Sequence, residues 1–260
     1  MNRSEAPADC RPDWWSEAAG LWEHNATWWA EELTDGADPE YAEQILPIVA
    51  RHLEGARRVL DVGCGEGQIS RLAAGIPGVE AVVGVDPTPA LLRVARERGG
   101  TRRPALLRGE AAALPLGDGA VDAVVVCLVL EHVEEVDAAL AEVGRVLAPR
   151  GRFVFLLNHP LLAVPDSGWI DDTILGEQYW RLGPYLREDS RVEEVAKDVW
   201  VPFIHRPLSR YVNGLVAAGL VVTGMEEPAP PPGFLALAAE YAEAATIPRL
   251  LVLRAEKLGR

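Results

Sequence analysis

Residues Val59-Leu60-Asp61-Val62-Gly63-Cys64-Gly65-Glu66-Gly67 run a short apolar stretch straight into three alternating glycines. A strand that ends in such a loop and restarts as a helix is the opening unit of a parallel α/β sheet. Glycine lets the backbone turn sharply and lets a ligand approach with no Cβ in the way. The helix start beyond it offers free N–H groups and the positive end of a dipole, which suits a carboxylate or a phosphate. Dinucleotide-binding loops carry G-x-G-x-x-G at this place. This chain has G-x-G-x-G, with Asp61 two residues before the first glycine. An acid there sits badly beside a pyrophosphate and well beside an α-ammonium group. The loop therefore favours a nucleoside bearing an amino acid over NAD.

The segments that follow repeat the pattern. Arg58 to Val62, Ala81 to Val85, Ala105 to Leu107, Val121 to Leu128 and Phe153 to Leu157 are short, nearly continuous apolar runs. Such runs are expected of parallel strands covered on both faces. Helical candidates lie between them. Thr88 is a plausible N-cap with Pro89 at the first helical position. Val136, Leu140, Val143 and Leu147 recur at helical spacing and stop at the turn signal Pro149-Arg150-Gly151. Strand and helix in alternation predict a doubly wound parallel sheet. Leu208 to Ala218 reads as a further helix closed by Gly219, and Leu220 to Met225 and Leu250 to Ala255 as strands. Asp86 ends the second strand, 21 residues after Gly65. An acid at that place accepts hydrogen bonds from both ribose hydroxyls. Because Thr88 can cap the next helix, Asp86 is expected to be free for that task.

Four stretches differ in texture and set the expected organisation. Residues 1–55 hold Trp14, Trp15, Trp22, Trp28 and Trp29 among acids and alanines. Trp15, Trp22 and Trp29 recur every seven residues, hence on one helix face. That face either packs on the main domain or forms an aromatic lid, and the two roles are compatible. Residues 56–158 form the core expected to bind the ligand. Residues 159–205 scatter Pro, Gly, Trp and Tyr with no clean period and read as an insertion that helps to build a cap. Residues 206–260 complete the sheet.

On these residues the chain resembles the class I S-adenosylmethionine-dependent methyltransferases. It is most similar to their small-molecule branch, which includes the ubiquinone and menaquinone enzymes. The resemblance rests on VLDVGCGEG, VVGVDPT, GEAAALPLGDGAVDAVVV and LEHVEEVDAALAEVGRVLAPRGRFVF. It covers residues 56–158 well, and more loosely His205-Arg206-Pro207-Leu208-Ser209 and the final strands. It implies an α/β, Rossmann-like doubly wound sheet of seven strands whose last strand is antiparallel. A partly helical cap would come from the N-terminus and the insertion. It implies S-adenosylmethionine as cofactor and S-adenosylhomocysteine as product. Asp61 and Gly63, Cys64, Gly65 and Gly67 would hold the methionine part. Asp86 would hold the ribose, with Pro87 near the adenine. Glu110 would meet the adenine amino group and Ala111 would offer its backbone N–H. Cys127 and Leu128 would border the sulfonium, and His132 would be structural or wall the cofactor site. Glu110 departs from the family, which usually has Asp there, and Ala112 stands where Glu is common.

The expected reaction is methyl transfer to an oxygen or nitrogen of a small, aromatic or apolar metabolite. A hydroxyl acceptor is helped by a general base, most often His. His159, beside Asn158 at the carboxyl edge of the sheet, and His205 are the candidates. Trp22, Trp29, Asn158, Tyr179, Trp180 and Tyr185 are candidate acceptor contacts. His24 lies in the aromatic zone, and His52 is expected to face solvent on a helix. The alternatives are a non-catalytic S-adenosylmethionine-binding module and a tRNA or RNA methyltransferase. The formal net charge of -14 opposes nucleic acid and anionic membrane surfaces alike. No metal-ligand spacing stands out. Three cysteines, Cys10, Cys64 and Cys127, include no CxxC pair and read as reduced thiols. The N-terminal MNRSEAPADC has no apolar segment, and no run reaches the ~20 residues of a membrane span. A cytoplasmic monomer or homodimer is expected.

Overall fold

The computed structural model describes residues 18–34, 37–100, 102–238 and 243–259; the side chains of residues 18 and 19 are outside the description. Cys10, Trp14 and Trp15 lie outside the described residues. Seven strands form one sheet: β1 (Arg58–Val62), β2 (Ala81–Asp86), β3 (Ala105–Arg108), β4 (Val121–Cys127), β5 (Leu147–Asn158), β10 (Leu220–Glu226) and β11 (Leu250–Lys257). Their order is β10-β11-β5-β4-β1-β2-β3. Neighbours among the first five in the chain are parallel, and β11 runs antiparallel to both β5 and β10. The sheet is therefore Rossmann-like, with the last strand reversed as the resemblance implied. The order turns back between β1 and β4, so the two crossovers leave this point on opposite sides and open a crevice at the strands' carboxyl ends.

Alternation along the strands builds two cores. Val124 and Val126 of β4 point to one face, where Leu140 and Val143 of α5 (Val136–Val146) and Tyr211 and Leu215 of α6 (Leu208–Ala217) cover them. Ala123, Val125 and Cys127 point to the other, covered by Ile48, Val49 and Leu53 of α2 (Leu46–Leu53) and Ile69 and Ala73 of α3 (Gln68–Gly75). Burial on both faces is why these strands read as unbroken apolar runs. A fourth crossover helix, α4 (Pro89–Arg98), packs Leu91, Leu92 and Ala95 inward. The short α7 is Pro232–Leu237.

The insertion supplies the strands of the cap. It consists of two antiparallel hairpins, β6 (Gly168–Asp172) with β7 (Glu177–Arg181), and β8 (Asp189–Ala196) with β9 (Val199–His205). Side chains of β6 and β8 are half-buried or exposed with no alternation of period two to mark them, whereas β9 is mostly buried but interrupted by Pro202. The cap's helix is α1 (Ala18–Glu32). Asn25 of α1 donates to the Trp200 carbonyl of β9 at 2.6 Å, and Glu23 accepts from the Ala90 N–H at the start of α4 at 2.9 Å. Helix α1 thus bridges α4 and the second hairpin across the crevice. Among the described residues no helix is long and apolar enough to cross a membrane.

Candidate active site

A cavity of about 370 Å³ opens at the carboxyl ends of β1, β2 and β4, within the ~300–1,000 Å³ range of small-molecule sites. Its floor is the glycine loop. Gly63 has φ +69, and a Cβ there would collide with the Val129 side chain, so only glycine fits. The N–H groups of Gly63 and Cys64 both donate to the Val85 carbonyl, which binds the loop to β2. At the end of β4, Leu128 holds φ +56, an uncommon conformation for a residue with a side chain. Its N–H donates to the Leu156 carbonyl at 2.9 Å, which stabilises the turn that presents Leu128 to the cavity.

The polar wall is acidic. Asp61 is 2% exposed and accepts from the Ser70 hydroxyl at 2.6 Å. Burial pushes its carboxyl up to about 7; the Ser70 bond opposes this, and the negative charge of Asp86 adds to it. Asp86 accepts from the Gly65 N–H at 2.9 Å and from the Thr88 N–H at 2.8 Å. Burial raises its carboxyl too, against these two bonds. Thr88 does stand at the N-cap of α4 with Pro89 behind it, but its side chain makes no capping bond. The division of labour is the reverse of the expected one: Asp86 ties down the helix start. A carboxylate has about four lone-pair sites, so it keeps acceptor capacity for a ligand. Glu66 is likewise buried, and its Oε2 takes Arg71 at 2.8 Å and Arg98 at 2.7 Å. Arg98 also donates to the Thr34 hydroxyl and the Ala30 carbonyl, so the glycine loop is linked to the end of α1. The thiols of Cys64 and Cys127 are pushed well up by burial, which makes them inert at neutral pH.

The opposite wall is aromatic. Trp22 and Trp29 of α1 meet edge to face at 4.9 Å, Trp22 meets His132 at 5.0 Å, and His132 meets Phe203 of β9 at 5.5 Å. Such contacts contribute roughly 0.5–1.5 kcal/mol each beyond area burial.

The cavity brings together Asp61, Gly63, Cys64, Gly65, Asp86, Pro87, Glu110, Ala111, Cys127, Leu128 and His132, with Trp22 and Trp29. Gly67 is not on its wall; it caps α3 at φ +83 and packs on Ala95. Six other candidates are also elsewhere. Asn158 gives both its backbone N–H and its Nδ2 to Glu131 Oε1. His159 is buried, with Nε2 on Glu227 at 2.8 Å and Nδ1 accepting from the Leu161 N–H. His205 is buried with Nε2 on the Tyr185 carbonyl at 2.7 Å, and burial lowers its imidazole below the ordinary range. Tyr185 accepts the Leu208 N–H on its hydroxyl. Tyr179 is exposed on β7, and Trp180 packs edge to face on Trp169. Asn158, His159, Tyr185 and His205 join loops to neighbouring elements, and none of the six lines the cavity. His52 does not face solvent freely either: its Nε2 lies 2.7 Å from Glu226. Tyr41 and Val129 lie outside the motifs, and only the fold brings them to the cavity. Tyr41 belongs to a π-helical turn, Tyr41–Ile45, a geometry often found at functional sites.

Sheet order and cavity together define a Rossmann-like domain built to hold a nucleoside cofactor. Residues 60–155 match the family model described as a methyltransferase domain. An S-adenosylmethionine-dependent methyltransferase from Mesorhizobium loti superposes with a TM-score of 0.71 and 29% identity, covering 86% of this chain and 99% of that one. Demethylmenaquinone methyltransferase of Thermus thermophilus is 35% identical over 127 residues, 48% of this chain and 56% of the relative. The ubiquinone/menaquinone biosynthesis C-methyltransferase of Methylobacterium nodulans is 44% identical over 104 residues, 38% of this chain and 41% of the relative. The chain spans about half the length of these curated relatives. Residues 60–155 thus form a methyltransferase domain, similar to those of the class I S-adenosylmethionine-dependent methyltransferases.

The residues present fit that cofactor. Three buried acids face one cavity, and burial raises the carboxyls of Asp61 and Asp86, so a ligand that brings a positive charge and hydroxyl donors would relieve both. An apolar end bordered by Cys127 and Leu128 suits a sulfonium methyl group.

Proposed function

We propose that this chain transfers the methyl group of S-adenosylmethionine to an oxygen or nitrogen of a small metabolite that is aromatic or apolar. The observation that carries this reading is the continuity of one cavity from an acid-lined cradle to an aromatic wall. When bound, the cofactor supplies an already activated methyl group, and the protein's part is to align and to exclude water. In this reading Asp61 and the Gly63 to Gly65 turn hold the amino-acid end. Asp86 accepts from the ribose, and Pro87, Glu110 and Ala111 border the base. Cys127 and Leu128 flank the reacting carbon, while Trp22 and Trp29 give the acceptor a flat apolar surface. The curated relatives' quinone chemistry supports an aromatic acceptor. A phosphate backbone is disfavoured because acids dominate the cavity and the chain carries a net charge of -14.

Calorimetry with S-adenosylhomocysteine tests the reading. Wild type is expected to bind in the micromolar range. Asp86→Ala is expected to lose 100-fold or more, since two charge-assisted bonds contribute about 1.5–3 kcal/mol each. Wild type that fails to bind, or undiminished binding by the variant, refutes it.

A further inference from the structure

Among the described residues, one imidazole lines the cavity, and its tautomer follows from its hydrogen-bond partner. His132 belongs to the 3-10 turn Leu130–His132, directly after the reversed residue Leu128. Its Nδ1 lies 2.5 Å from the Pro202 carbonyl of β9. A carbonyl only accepts, so Nδ1 carries the proton. In the neutral ring Nε2 is then the bare lone pair. No hydrogen bond or ion pair occupies Nε2 among the described residues. The ring is held half-buried between Trp22 and Phe203, each edge to face. Its pose is set by two separate elements of the cap, α1 and β9, and not by the motif that contains it.

From this geometry, and resting on the methyl-transfer reading, we propose that His132 is the catalytic proton acceptor, taking the O–H or N–H proton of the methyl acceptor on Nε2. The acceptor's heavy atom gains the methyl carbon. The sulfur–carbon bond breaks with its electron pair left on sulfur, and the acceptor's proton passes to Nε2. The products are a methylated acceptor, S-adenosylhomocysteine and an imidazolium at His132. The surroundings suit that cation. The other titratable oxygens on the cavity wall are Tyr41, Asp61, Glu66, Asp86, Glu110, Glu134 and Glu135, and among the described residues no Lys or Arg lines it. Trp22 and Phe203, the ring neighbours from α1 and β9, carry no charge. The Pro202 bond keeps Nδ1 protonated throughout, so Nε2 alone exchanges protons. The acceptor class narrows accordingly to phenols, enols, hydroquinones and ring N–H compounds, flat molecules with an acidic proton. A thioether, which has no proton to lose, needs no such base.

Two measurements on the full chain test this. The first is ¹⁵N NMR of the S-adenosylhomocysteine complex at pH 7.5, which is expected to show the His132 proton on Nδ1 and a bare Nε2. A proton on Nε2 overturns the proposal, with no variant needed. The second uses 4-nitrophenol, whose phenolate is coloured, as the acceptor probe on the same complex. Proton acceptance by Nε2 predicts that the colour develops about one pH unit lower than in buffer, the size of one favourable partner for the charged form. His132→Asn places an amide N–H where Nδ1 was and removes Nε2. It is expected to abolish the shift in the complex formed at saturating S-adenosylhomocysteine. An equal shift in the variant, or none in wild type, overturns the proposal and leaves methyl transfer standing. Wild type that does not bind S-adenosylhomocysteine overturns the methyl-transfer reading and this proposal with it.

Discussion

Replacing Asp61 by Asn is expected to stabilise the ligand-free protein at pH 8 and to weaken its hold on the cofactor. Asp61 is 2% exposed, and burial pushes its carboxyl from an ordinary 3.8 up to about 7. The folded protein therefore holds a proton on Asp61 that the unfolded chain gives up. By linkage, the stability contributed by this group is fully present below the unfolded value near 4. It is lost as pH rises through the window from about 4 to about 7, and it stays lost above. Three units at 1.36 kcal/mol each set a ceiling of about 4 kcal/mol for the cost of the buried carboxylate at pH 8, against well under 1 kcal/mol at pH 4. Asn has the same shape and no charge, and its carbonyl can accept the Ser70 hydroxyl that Asp61 now accepts at 2.6 Å. Thermal melts of the two proteins at pH 4 and pH 8 check this. Each kcal/mol realised raises Tm by roughly 2–4 °C in a chain of this size. The variant is expected to gain several degrees at pH 8 and almost nothing at pH 4. Its affinity for S-adenosylhomocysteine should fall at least tenfold, because a charge-assisted bond to the ammonium is lost. A variant that melts below wild type at pH 8, or with an equal difference at both pH values, refutes the argument that Asp61 is a carboxylate held in waiting for a cation.

Further outcomes follow from the same geometry. Gly63→Ala, at φ +69 and against Val129, should lower stability by about 1–3 kcal/mol in urea melts and reduce S-adenosylhomocysteine binding with it. Arg98→Ala leaves the buried Glu66 with one partner fewer and frees the end of α1. It should cost about 3 kcal/mol, and limited proteolysis should cut α1 sooner than in wild type. His159→Gln should loosen the Glu227 contact and lower Tm, yet calorimetry should show S-adenosylhomocysteine affinity within about threefold of wild type, a change under ~0.7 kcal/mol.

Much of the sheet was legible because each strand is buried on both faces, so a run such as Val121 to Cys127 stands out without any partner being known. The glycine loop was legible because positive φ at Gly63, Gly65 and Gly67 restricts the residue type itself. The two hairpins of the insertion were not, since β6 and β8 show neither an apolar run nor a clean alternation and Pro202 interrupts the apolar run of β9. The strand Leu147–Asn158 begins where Pro149-Arg150-Gly151 read as a turn; Arg150 takes φ +63, and the irregular register shows as a break in its pairing with β4. The histidines are the sharpest case. His159 and His205 looked like acceptor contacts because they flank the carboxyl edge of the sheet. His132 looked like wall. A histidine's protonation and aim depend on the group across from it, and those groups, Glu227, the Tyr185 carbonyl and the Pro202 carbonyl, are 68, 20 and 70 residues away.

What the sequence by itself determined is therefore what short-range chemistry controls: strands buried on both faces, a turn only glycine can make, and acids at Asp61 and Asp86 spaced by one strand-helix-strand unit. From these came the sheet, its crevice and the kind of cofactor it holds. The tertiary structure decided which side chains share the cavity with that cofactor. Helix α1, the second hairpin and the turn after β4 converge on Trp22, Phe203 and His132 from three distant parts of the chain. Their meeting depends on packing over the whole fold, and no local pattern of residues encodes it.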